Sequence, residues 1–268
     1  MSERILRALM QLFAIVAKVD EVSEEVQSSE NFQIQSTRGR EIIASFLKSE
    51  LSSSDVHKYL EVFEGFLNET RGRLYAKSGG KKRTSLQSVK VLRICEQINK
   101  ELTQRQKFIV LIRIFEFIYA DNHQSEKEHE FIRTVSDSFH ISEEEFNLIQ
   151  RFTEADGDDI IDENNHVYYT GGVNFDLEHA HSGVLDGLDG LIHAIKISSV
   201  RTIFFKYFGK EELYINGLVV ANDKTHLFNV GSTIKTTKSV QLFYSDLISR
   251  VSERTSQKKI SFEVNHLE

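Results

Sequence analysis

Along residues 1–155 apolar side chains return at every third or fourth position, and from His166 onward they tend to alternate. The first period lays a stripe along a helix, and the second lays one face of a strand. The chain therefore reads as a multi-domain α plus β protein. An all-α helical bundle is predicted over 1–155, an acidic linker over 156–165, and a small all-β sandwich or partly open barrel over 166–266. Leu6, Leu9, Met10, Phe13, Val16 and Ala17 give the first helix one apolar face. A polar loop follows from Glu21 to Gly39, and Ile42, Ile43, Phe46 and Leu47 resume the helical period. Val56, Tyr59, Leu60, Phe63 and Phe66 mark a helix begun by Ser52, with Asp55 three residues on. Two more are predicted over Leu86 to Leu102 and Gln104 to Ala120. Helices starting at Ser125 and Ser142 carry capping boxes with Glu128 and Glu145. Leu51-Ser52, Val56 and Tyr59 recur at the same spacing as Ile141-Ser142, Phe146 and Ile149, which suggests a pseudo-duplicated bundle.

In the second half VYY, GLIHAIKI, RTIFFKYF, LYINGLVV, HLFNVG, STIKT and VQLFYSDL read as strands. Asn216-Gly217 is the strongest hairpin signal, because both residues tolerate positive φ. With no proline in the chain, turns fall to Gly, Asn and Asp.

Composition narrows the function classes. Forty per cent hydrophobic and 27% charged residues describe a globular chain, and a net charge of −7 argues against general nucleic-acid affinity. The single cysteine, Cys95, excludes an intrachain disulfide; it reads as a buried thiol and fits a reducing cytosol. No apolar run approaches the roughly 18 residues that span a bilayer. Leu9 to Val19 is broken by Gln11 and Lys18, and Phe108 to Ala120 by Arg113 and Glu116. The N-terminus fits a helix face rather than a signal peptide. Leu267-Glu268 reads as a tag remnant on a piece of a longer protein, with KKISFEV starting like a strand before it.

Candidate chemistry is sparse. RGRLYAKSGGKKR (71–83) holds six basic residues and reads as a solvated loop, with phosphate binding as the alternative. It is not a Walker A loop, since Tyr75 stands where the first glycine belongs and Lys82 where Ser or Thr belongs. EADGDDIIDE (154–163) is acidic but lacks the glycine and glutamate of a calcium loop. His179 and His181 alternate and read as exposed strand or loop residues rather than ligands. HExxH, GxSxG and CxxC do not occur, so no enzymatic activity is expected.

Ala120-Asp121, followed by a polar turn with Ser125 and Glu128, resembles the TerB-like family of tellurite-resistance helical bundles over residues 5–155. Where that family has glycine after the aspartate, this chain has Asn122, and Glu21 after Asp20 in the first copy. The resemblance implies a divalent metal at paired acidic turns, with Asp121, His123, Glu128 and Asp20 as candidate ligands. An oxygen-rich set suits Ca²⁺ or Mg²⁺. The competing reading assigns Glu128 to its capping box and Asp121 to a helix end.

SLQSVKVLRICEQINKELTQRQKFIVLIRIFEF (85–117), YINGLVVANDKTHLFNVGSTIK (214–235) and LFYSDLISR (242–250) are similar to the N-terminal region of Bacteroidetes-type ABC transporter ATP-binding proteins. That resemblance implies a non-catalytic regulatory or interaction module at the cytosolic face of the inner membrane. Its partner is then the protein's own ABC ATPase domain or another protein, and ATP and Mg²⁺ belong to that missing domain. The fragment itself needs no cofactor beyond the candidate cation. Asn216-Gly217 and Gly231-Ser232 resemble the forkhead-associated (FHA) family, although that family's early Gly-Arg and Ser-x-x-His do not occur in this region. The alternatives are a stand-alone TerB-like sensor of divalent metal or stress, and a phosphopeptide-binding adaptor.

Overall fold

A computed structural model describes residues 2–19, 39–48, 51–75, 83–119, 125–161, 163–171, 181–238 and 240–253. The chain divides into two compact units, Met1–Glu154 and Ala155–Glu268.

The first unit holds α1 (Glu3–Val19), α2 (39–48), α3 (Ser53–Tyr75), α4 (Arg83–Asn99), α5 (Gln104–Tyr119), α6 (Glu126–Ser138) and α7 (Glu143–Glu154). The sequence gives α1 a single apolar face, but the helix is buried nearly all round. Ile5, Ala8, Leu12, Ala14 and Ile15 join the expected stripe, and of its early residues only Glu3, Arg4 and Arg7 are exposed. An apolar helix of this kind sits at the centre of a bundle, and α1 packs on α3, α4, α5 and α6. Phe13 meets Phe46 and Phe117, while Phe115 on α5 meets Phe146 on α7. Arg113 and Glu116, which interrupt the apolar run of α5, pair with each other at 2.5 Å.

Helix ends follow local chemistry. Ser142 Oγ accepts from Glu145 N at the start of α7. The far end of α6 closes through His140 at φ 57°, with His140 N donating to the Asp137 carbonyl and Ile141 N to the Ser136 carbonyl. That is a Schellman closure with histidine in the place usually held by glycine. Gln104 and Asn99 donate to the carbonyls of Phe139 and Ser138, tying the α4–α5 junction to this end. The basic stretch 71–83 is not wholly a loop. Residues 71–75 continue α3 and Arg83 opens α4, because Arg, Leu and Tyr extend a helix readily; 76–82 lie outside the described residues.

The second unit has β1 (His166–Thr170), β2 (Ser182–Val184), β3 (Gly190–Ile197), β4 (Thr202–Gly209), β5 (Leu213–Ile215), β6 (Leu218–Val219), β7 (His226–Phe228), β8 (Thr233–Thr236), β9 (Gln241–Phe243) and α8 (Tyr244–Glu253). One sheet runs β2-β1-β3-β4-β7 and the other β6-β5-β8-β9; every pairing is antiparallel except β1 with β2. Asn216 (φ 51°) and Gly217 (φ 84°) turn β5 into β6, as the hairpin signal requires. Register places Val167, Tyr169, Ile192, Ala194, Phe205, Tyr207 and Phe228 on one face of the first sheet. They share a core with Leu213, Ile234 and Leu242 of the second sheet and Leu247 and Val251 of α8.

VQLFYSDL, expected as one strand, is instead split into β9 and α8. Asp246 accepts from Phe243 N through Oδ2 at 2.8 Å, a side-chain cap at the helix start. Tyr244, Leu247, Ile248 and Val251 then recur at helical spacing against the core. Among the described residues no helix is long and apolar enough to cross a membrane.

Candidate functional site

The end of α5 and the start of α6 flank the turn that carries most of the candidate ligands. Asp121 and His123, together with Asp20, lie outside the described residues; Glu128 is described. Ser125 is the N-cap of α6, and its geometry makes the box reciprocal. Ser125 Oγ accepts from Glu128 N at 3.3 Å, while Glu128 Oε2 accepts from Ser125 N at 2.8 Å and from Ser125 Oγ at 2.9 Å. This satisfies two backbone donors that a helix start leaves orphaned. Glu128 is only 3% exposed, so its carboxylate is held inside the bundle by donors from its own turn.

Two residues that periodicity does not single out meet at the end of α5. Tyr119, at the end of α5, donates to Glu154 Oε1 at 2.6 Å, and Gln150 Nε2 donates to the same oxygen at 3.0 Å. Burial, then the hydrogen bond to and charge of Glu154, hold the Tyr119 hydroxyl far above the usual phenol range, with Glu128 adding in the same direction. The start of α6 therefore carries a buried carboxyl, Glu128, and the end of α5 a phenol that stays protonated against Glu154. Tyr119 and Glu154 lie 35 residues apart and no local motif links them. Among the described residues no three His, Cys, Asp or Glu side chains gather in a metal-holding group. Cys95 is fully buried, and burial pushes its thiol up to about 12, the behaviour of an inert core cysteine.

A second polar constellation lies on the other face of the five-stranded sheet. Register puts Tyr168 opposite His193 and His193 opposite Lys206, with His166 two residues before Tyr168 on the same face. His166 Nδ1 and His193 Nε2 are 2.8 Å apart, and the Tyr168 ring stacks on His193 with centroids 4.5 Å apart. All four side chains are buried. Residues 155–161 lie against this face at both ends. Lys206 Nζ donates to the Ala155 carbonyl at 3.1 Å, and Ile161 N donates to the Tyr168 hydroxyl oxygen at 2.8 Å. A Cβ on Gly157 would stand 3.1 Å from Phe208 Cβ, so the bare backbone is what allows this close approach. Neither His179, outside the described residues, nor His181, half-buried ahead of β2, belongs to the pair.

At the hairpin corner Asn216 Nδ2 donates to Ser232 Oγ at 3.1 Å and Asn216 Oδ1 accepts from Thr233 N at 3.0 Å. The two turns that resemble the FHA pattern are thus joined. Leu218, Val219 and Val230 stand exposed on β6 and in the turn before Gly231.

No curated protein and no solved structure gives a significant match to the chain. The family model described as tellurite resistance protein TerB matches residues 6–151, more than half of the 268 residues and nearly the whole helical unit. The chain accordingly belongs to the TerB family, and its helical unit is a module of the tellurite-resistance, stress-related type.

Proposed function

We propose that this chain is a non-catalytic regulatory module that acts by contact on an ABC-type ATPase within the same longer protein. The observation that carries this reading is the joining of a TerB helical unit to a β unit whose hairpin corner leaves Leu218, Val219 and Val230 in solvent. Large exposed apolar side chains gathered at one corner mark a contact surface. Support for the ATPase as partner is the similarity of residues 85–117, 214–235 and 242–250 to the front end of such transporter proteins. ATP hydrolysis then belongs to the partner, and this chain contributes binding energy that differs between the partner's states. The test is the ATPase rate of the full-length protein with residues 1–265 deleted and then added back in trans. A rate that changes on deletion and is restored on addition supports the module. Hydrolysis by the purified fragment alone would overturn the non-catalytic assignment.

A second reading, divalent metal sensing between α5 and α6, draws on Glu128 at the start of α6 and on the Tyr119–Glu154 bond at the end of α5. Asp121, His123 and Asp20 would complete an oxygen-rich set for Ca²⁺ or Mg²⁺. Calorimetric titration of Ca²⁺, Mg²⁺ and Zn²⁺ into metal-free protein tests it, with Asp121→Ala and Glu128→Gln as the informative variants. Gln keeps an acceptor for Ser125 N and removes the charge. Heat that survives both substitutions removes this site. Phosphopeptide binding at the Asn216–Ser232 corner is the remaining reading, and titration with phosphothreonine peptides tests it.

A further inference from the structure

The two sheets of the β unit end in β2 and β7 and in β6 and β9. An edge strand offers unpaired backbone groups to other chains, and charged side chains on or beside it discourage that. Asp186 follows β2, Lys224 precedes β7 and Lys238 precedes β9, each close to its strand. Around β6 there is no such guard, for neither a charge nor a proline occurs from Leu213 to Asn222.

Register fixes what β6 shows to its open side. Val220 N donates to the Leu213 carbonyl, so those two residues form a hydrogen-bonded pair, and Ile215 with Leu218 forms the next. Tyr214 and Val219 stand opposite each other between them, and the N–H and carbonyl of Val219 therefore point away from β5. Leu218 and Val220 share the face of Ile215, Ile234 and Leu242, yet Val220 is 5% exposed and Leu218 72%. The apolar row of this sheet thus runs to the open edge and ends uncovered at Leu218.

The sequence along this edge is nearly a palindrome about Val219. Reading outward, Leu218 answers Val220, Gly217 answers Ala221 and Asn216 answers Asn222. Two copies laid antiparallel with Val219 on the twofold axis set aliphatic beside aliphatic, small beside small and amide beside amide. Val219 N–H of each copy then donates to the Val219 carbonyl of the other, and each Leu218 meets Val220 of the second copy. No like charges meet along this stretch, and an isologous contact of this kind closes at two copies.

We propose that this chain pairs with a second copy of itself through the β6 edge, the two β9-β8-β5-β6 sheets joining into one across Val219. The pairing goes beyond the ATPase reading and does not rest on it, since its test needs this chain alone.

Sedimentation velocity of the full chain in about 0.15 M salt, which screens the −7 charge of each copy, is that test. So short a contact makes a weak dimer, and the mean mass should climb from near 30.9 kDa at roughly 20 µM toward twice that at roughly 1 mM. Val219→Pro removes the outward N–H without touching the β5 ladder and should hold the chain at monomer mass. Val219→Thr keeps the N–H and should dimerise like the parent. Val219→Lys keeps the N–H but sets two ammonium groups at the axis; it should stay monomeric, which separates lost pairing from misfolding of the proline variant. Oxidised with copper phenanthroline, Val219→Cys should form an intermolecular disulfide at least about tenfold faster than Val89→Cys, because paired strands bring Cα atoms to about 5.5 Å. Val89 is an exposed residue of α4, and the native Cys95 is buried. A chain monomeric at the higher concentration would leave the edge to a foreign strand and overturn the pairing. A dimer that survives Val219→Pro or Val219→Lys, a Val219→Thr variant that stays monomeric, or equal rates of disulfide formation would overturn it as well.

Discussion

Glu128 in the helical unit and His193 in the β unit are both ionisable and almost wholly buried, yet they are stabilised by opposite means. Glu128 sits among donors that the fold must satisfy in any case, the backbone N–H and hydroxyl of Ser125. His193 lies against another imidazole and opposite a lysine, and burial, then the charges of His166 and Lys206, hold it well below its ordinary 6.5. The carboxyl group therefore strengthens its unit by accepting the donors of its own turn, and the imidazole does so by staying neutral. A buried charge is tolerated where the backbone supplies its partners, and excluded where its neighbours carry the same sign.

Substitutions test this contrast in descending order of effect. His193→Ala should cost most, about 2–4 kcal/mol in urea unfolding of the β unit, because it leaves a cavity under Tyr168 and removes the partner of His166. Glu128→Ala should cost about 1–2 kcal/mol in the helical unit through loss of the capping box, and Glu128→Gln well under half of that. A Gln variant as damaging as the Ala variant would show that charge, not capping geometry, holds the turn.

The third expectation concerns pH. His193 has a lowered folded value, so the unfolded chain takes up the proton first as pH falls. Stability of the β unit is complete above about pH 6.5 and is lost below it at roughly 1.4 kcal/mol per pH unit per proton, until the depressed folded value is reached. Urea midpoints at pH 7.5 and 5.5 measure this, and His193→Phe should remove most of the slope. The smallest effect is a gain. His140 occupies a left-handed conformation that costs little for glycine, so His140→Gly should stabilise the helical unit by about 0.5–1 kcal/mol.

Local patterns were legible in the sequence and long-range pairings were not. Ser125 with Glu128 and Asn216-Gly217 announce a cap and a hairpin because each is completed within a few residues. The split of VQLFYSDL was hidden because Leu242, Tyr244 and Leu247 satisfy part of either period, and the Asp246 cap decides between them. β2 escaped notice because SGV carries little strand propensity and is recruited by β1 in parallel. His166 and His193, 27 residues apart, become a pair only through the register of β1 on β3. His140 does not announce a helix stop, since the usual signal there is glycine. Of the four candidate metal ligands named by the sequence, Glu128 lies among the described residues, where it closes its capping box, and the Tyr119–Glu154 bond at the end of α5 had no local signal.

The most direct test of the proposed regulation by contact is the affinity of residues 1–265 for the proposed ABC-type ATPase partner, measured by calorimetry with and without bound ATP. A module that controls an ATPase must prefer one nucleotide state, so the account predicts dissociation constants that differ by at least about tenfold between the two conditions. Equal affinities in both states, or no binding in either, would contradict it.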